Sequence, residues 1–142
     1  MGDLYNRGKL VLATTCPWVT GSDIRVLLTT SSYTPSEDHA TVSQVTNELS
    51  GGNYVRKALS SLAASQNDTD NRAELDAADV TWTALSASSF PTYAVVFDNS
   101  GGSDAARSLI GWVELTPSSG TGIPNGADWQ AVWDATGLFR LT

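Results

Sequence analysis

His39 is the only imidazole in this 142-residue chain, and Cys16 is the only thiol. A hydrolytic triad needs a nucleophile, a base and a group that orients the base. Serine is abundant, but no Gly-x-Ser-x-Gly elbow occurs. A Cys16–His39 dyad is the one thiol–imidazole pair the composition allows, and nothing local to Cys16 activates its thiol. His39 follows Glu37 and Asp38, so a solvated place near a helix start is expected for it. Cys16 reads as a small hydrophobe. One Cys and one His also exclude an intrachain disulfide and an ordinary zinc site.

Carboxylates offer a second chemistry, either calcium binding or paired acid–base work. The richest stretch is Asn67-Asp68-Thr69-Asp70-Asn71. An EF-hand loop starting at Asp68 fails, because Arg72 and Ala73 stand where an oxygen ligand and glycine are required. A looser cation site from Asp68, Asp70 and Asp76 competes with a simpler role, in which Asp and Asn cap turns through their own backbone. Asp76 and Asp79 bracket Ala77-Ala78 at an expected corner or bulge. Gly120-Thr121-Gly122 lacks the third glycine of a dinucleotide fingerprint, and no phosphate loop is present. Asn67-Asp68-Thr69 fits the glycosylation sequon, but no secretory signal accompanies it.

Five tryptophans raise the question of sugar stacking. Trp82, Trp112 and Trp129 alternate with small or polar residues, as core residues of strands do. Trp18, next to Pro17 at a chain break, is the one expected to be exposed.

The elements that must position these residues follow from composition and period. The chain holds 17 Ser and 16 Thr but only two Lys and four Glu, which suits strands and turns better than helices. Residues 9–15 are predicted as a first strand. In residues 24–30, Ile24, Val26 and Leu28 alternate with Arg25, Leu27 and Thr29, the mark of a strand. Residues 36–49 are predicted as the one helix, since acidic residues open the segment and Val42, Val45 and Leu49 recur at helical spacing. Further strands are expected at 54–62, 72–75, 80–85, 92–98, 108–115, 128–134 and 137–141. The 92–98 run is apolar on both faces and is expected at a sheet centre. The predicted fold is all-β, an antiparallel β-sandwich or jelly-roll-like domain of about eight strands with one short helix. Residues 1–15 are expected to form an N-terminal arm and first strand, and 16–142 the single domain.

A net charge of −7 argues against a nucleic-acid partner, because no cationic field is available to displace phosphate counterions. The longest early apolar run, Leu10-Val11-Leu12-Ala13, is far short of a membrane span, and it is also too short for a lipoprotein leader before Cys16. No cofactor and no membrane partner are expected.

Several blocks resemble a group of small virion structural proteins of tailed bacteriophages, encoded beside the major capsid protein. They are residues 26–29 leading into Tyr33-Thr34-Pro35-Ser36-Glu37-Asp38-His39; residues 48–54 followed by Arg56-Lys57-Ala58-Leu59; Leu75-Asp76-Ala77-Ala78-Asp79-Val80-Thr81-Trp82; residues 93–98; Leu109-Ile110-Gly111-Trp112-Val113; and residues 133–141. The resemblance covers most of the chain from about Arg25 onward. It implies a β-domain without enzymatic activity, made in the host bacterial cytoplasm and carried on the outer head surface as a decoration or cement protein. The implied partner is the major capsid protein lattice, met by a homo-oligomer; the threefold positions of such a lattice suggest a trimer. Leu4, Tyr5 and Trp18 are the expected partner contacts. Two other readings remain open: a tail or head–tail connector component, and a carbohydrate-binding or host-adhesion module.

Overall fold

A computed structural model describes residues 2–15, 17–18, 23–116 and 122–142. Cys16 and residues 19–22 and 117–121 lie outside them. Among the described residues the chain is mostly β, with ten strands in antiparallel sheets and one α-helix, a sandwich-like all-β fold. In chain order these are β1 (Asp3–Leu4), α1 (Asn6–Thr15), β2 (Ile24–Thr29), β3 (Lys57–Ala58), β4 (Ala63–Asn67) and β5 (Arg72–Asp76), then β6 (Val80–Trp82), β7 (Tyr93–Asp98), β8 (Leu109–Glu114), β9 (Trp129–Ala131) and β10 (Phe139–Leu141).

The largest sheet runs β1-β8-β7-β2-β3. Its middle strand is β7, as the doubly apolar run predicts. Ala94 and Val96 enter the main core with Ile24, Val26 and Leu28. Val95 and Phe97 enter a second cluster on the other face with Leu27, Leu109, Tyr5, Tyr33 and Val42. Covering both faces of β7 removes the need for a polar stripe along it. A smaller sheet runs β10-β5-β4, and β6 pairs with β9. Leu75, Val80, Trp82, Trp129 and Phe139 from these smaller sheets, with Trp133 just after β9, fill the main core against the large one.

Three local predictions are corrected. Residues 9–15 are not a strand: they lie in α1. Thr14 and Thr15 donate their hydroxyls to the carbonyls of Leu10 and Val11, at 2.8 and 2.9 Å, which reconciles β-branched threonines with a helix end. Nor are residues 2–15 an arm. Leu4 pairs with Gly111 of β8, and Tyr5 N–H donates to Ile110 O at 3.0 Å, so the segment completes the main sheet. The second correction concerns residues 36–49, which hold only a single 3₁₀ turn, Val42–Gln44, in place of a helix. Their backbone is engaged by distant partners: Val42 N–H donates to Arg107 O, Ser43 N–H to Asp104 O and Leu49 N–H to Leu28 O. Ala40 O accepts from Leu109 N–H. Donors and acceptors used this way cannot also serve an i→i−4 ladder. The predicted strand at 54–62 shrinks to β3, bounded by Asn53 and Ser61 at positive φ.

Candidate interaction surface

The three residues expected to meet a partner are instead internal. Leu4, Tyr5 and Trp18 are 6%, 0% and 1% exposed. Leu4 lies in the main core, and the Tyr5 ring packs 4.7 Å from that of Trp112. Trp18 meets Phe139 edge-on at 5.9 Å, and its indole N–H donates to Ala63 O and Asp76 O. That indole ties the chain after α1 to the β4–β5 pair. It is a strut of the fold, which corrects the expectation that Trp18 is exposed.

Three other indoles follow the same rule. Trp82 donates to Val55 O at 2.8 Å, Trp129 to Gly122 O at 2.8 Å and Trp133 to Ala78 O at 2.9 Å. Each buries its ring and gives its one donor to a loop carbonyl, so each holds a connection onto the core.

His39 joins a buried polar chain. Tyr5 Oη lies 2.9 Å from Tyr33 Oη, which lies 3.0 Å from His39 Nδ1. The His39 ring stacks on Tyr33 at 28°. Burial pushes both phenols above the usual tyrosine range, so they stay protonated. The chain crosses the second core from α1's entry to the 33–39 loop.

The carboxylates singled out from sequence do not converge. Asp68 accepts from Gln66 Nε2, and Asp70 accepts from Asn67 Nδ2 and pairs with Arg72 at 3.2 Å. Asp76 sits at the far end of β5 from that turn and accepts its neighbour Ala77's N–H at 2.8 Å. Among the described residues no three His, Cys, Asp or Glu are grouped to hold a metal ion.

An ion-pair cluster not foreseen from sequence lies beside the large sheet. Arg56 forks onto Glu48 at 2.8 and 2.7 Å, and onto Asp104 at 2.8 and 3.0 Å. Asp104 also pairs with Arg107 at 2.7 Å. Tyr54 donates to Glu48 at 2.9 Å and accepts Leu28 N–H at 3.0 Å. The guanidinium of Arg56 stands 5.5 Å over the Phe97 ring. Hydrogen bonds from Arg56 hold Asp104 at about 2, below its usual 3.8. The same carboxylates raise Arg56 above its ordinary value. Both carboxylates are engaged by guanidinium groups, so the cluster joins the 48–56 and 98–108 segments and offers no free acid or base. Glu48 and Arg56 are eight residues apart, but Asp104 lies 48 residues beyond Arg56, and only the fold brings it to them.

What faces outward is the β4–β5 hairpin. Ala63, Ala64, Ser65 and Gln66 are all exposed, and β4 is the outer strand of its sheet. No family model, no curated protein and no solved structure matches the chain.

Proposed function

We propose that this chain is a structural protein of a tailed-phage virion, a decoration or cement protein that binds the major capsid protein lattice on the outer head surface and stabilises it. The observation that carries this reading is the resemblance of its sequence blocks to small virion proteins of that kind. Those blocks make up β2, the 33–39 loop, the Glu48–Arg56 anchor, the β5–β6 connection, β7, most of β8 and the chain's end.

Charge supports the outer surface over the interior. A chain of net charge −7 is repelled by packaged DNA, whereas on an outer shell that charge keeps particles soluble and apart. The burial of Leu4, Tyr5 and Trp18 removes the contacts first expected and moves any partner surface to strands and loops that remain exposed. A protein that binds the assembled lattice and not its free subunits shifts the equilibrium toward assembly by mass action.

The test is to add the purified chain to heads that lack it and to count bound copies by mass spectrometry and electron microscopy. Hundreds of copies per head, with a raised disassembly temperature, are expected. A ring of about 6 or 12 copies at the tail axis would instead assign it to a connector. Binding to glycans but not to heads would assign it to host adhesion.

A further inference from the structure

Among the described residues, nothing pairs with the outer edge of β4. Leu138 N–H donates to Leu75 O at 2.8 Å, so the polar backbone groups of Leu75 face β10. Leu75 lies opposite Ala64 in the β4–β5 register. In an antiparallel ladder hydrogen-bonded and non-bonded pairs alternate. Ala64 and Gln66 therefore turn their N–H and C=O outward, and neither makes a backbone bond to another described residue on that side. Edges are usually blunted by proline, lysine, a bulge or an overlying segment. The sequence Ala63-Ala64-Ser65-Gln66-Asn67 has no proline and no charge, and its pairing with β5 has no register shift.

Side chains around this edge have a definite polarity. One face of the hairpin carries Ala63 and Ser65 on β4, opposite Asp76 and Glu74 on β5. Small Ala63 leaves the exposed Asp76 within reach of a long side chain from an added strand about 5 Å further out, whereas Glu74 is already held by Arg72 and Asn67. The other face carries Ala64 and Gln66, with Ala73 and Leu141 beyond them, around a shallow concavity of about 640 Å³. Over residues 63–76 there are four acidic residues and one basic one, and Arg72 is already engaged by Asp70 and Glu74.

We infer that the outer edge of β4 accepts an extended segment of another polypeptide as an added strand, one that alternates basic with apolar residues. Its backbone bonds Ala64 and Gln66. A basic side chain crosses Ala63 toward Asp76, and apolar ones on the other face settle over Ala64 and Gln66. Strand addition of this kind takes affinity from the main chain and specificity from alternate side chains. A second copy of this chain is the poorer occupant, because edge-to-edge pairing doubles the carboxylates on one small sheet. The inference stands apart from the virion reading and concerns any partner that carries such a segment.

The test uses the full chain and a labelled peptide alternating lysine with valine. A glutamate–valine peptide of the same length is the comparison. Fluorescence anisotropy gives affinity, and amide hydrogen exchange locates the contact. The lysine peptide is expected to bind at least about tenfold more tightly than the glutamate peptide. Exchange should slow at the Ala64 and Gln66 amides. Gln66→Pro removes an outward N–H that the internal ladder does not use, and it should weaken binding at least about tenfold. If that variant does not fold, Ser65→Lys serves in its place, since it sets a like charge in the path of the peptide's lysines. Four results would each overturn the inference: no binding of the lysine peptide, equal binding of the two peptides, unchanged exchange along β4, or self-association of the chain abolished by Gln66→Pro.

Discussion

Trp82 and Trp129 face each other across the β6–β9 pair with ring centroids 5.9 Å apart, and their indoles donate to opposite loops, at Val55 and Gly122. One aromatic pair thus anchors two connections. Trp82→Ala is expected to cost about 3–5 kcal/mol in urea unfolding. Trp82→Phe, which keeps a ring but orphans Val55 O, should cost about 1–3 kcal/mol. A negligible cost for Trp82→Phe would show that the indole N–H contributes nothing.

The Tyr5–Tyr33–His39 chain makes an unequal pair of predictions. Tyr33→Phe leaves the fully buried Tyr5 hydroxyl without the partner shown for it, and should cost about 1–3 kcal/mol. Tyr5→Phe leaves Tyr33 still bonded to His39 and should cost about 1 kcal/mol. The double variant should cost less than the sum, which a double-mutant cycle by chemical denaturation measures.

Gly8 is a test of contact against propensity. A Cβ there would stand 2.0 Å from Ile110 O, and a backbone atom cannot swing aside. Gly8→Ala should destabilise by about 1–3 kcal/mol, against the roughly 0.8–1 kcal/mol that alanine gains in a helix. Gly102→Ala, which meets nothing within 4 Å, should stay within about 0.5 kcal/mol of the parent. Thermal melts of both variants decide the matter.

Asp104 makes folding stability depend on acid. Its folded pKa of about 2 lies below its ordinary 3.8, so its contribution is complete above that ordinary value. The contribution is lost as pH falls from there through about 2. With its side chain 40% exposed, screening limits the effect to about 1 kcal/mol or less. Asp104→Asn should be less stable than the parent near neutrality, and the gap should close toward pH 2. A gap that stayed constant with pH would remove the ion pair as its cause.

Strand alternation was legible wherever one stretch of sequence decided the outcome. Ile24, Val26 and Leu28 fall on one face of β2 as their spacing predicts, and the 93–98 run lies at the sheet centre. The helix was placed wrongly for two linked reasons. The buried face of α1 is Gly8, Val11 and Leu12, and a glycine does not register as part of an apolar stripe. Val42, Val45 and Leu49 mimic that stripe, while long-range bonds to Arg107, Asp104 and Leu28 draw the backbone away from a helix. Trp18 was misjudged because Pro17 suggested an exposed break, and nothing nearby in sequence announces Ala63 and Asp76 as acceptors. The Arg56 cluster and the β4 edge depend on strand order, which no local window contains.

Gly2 N–H donates to Leu138 O at 2.7 Å, and Gly2 bridges Phe139. That contact closes a loop of nearly the whole chain, so its entropic cost is met only after most other pairings exist. During synthesis, β1 can pair with β8 once residues 111–112 have emerged, whereas the Gly2 bond and the β5–β10 pairing wait for residues 138–141. Until then β5 waits with an edge uncovered, in the state from which aggregation starts. Folding speed, more than final stability, is therefore where changes at the two ends of this chain should register first.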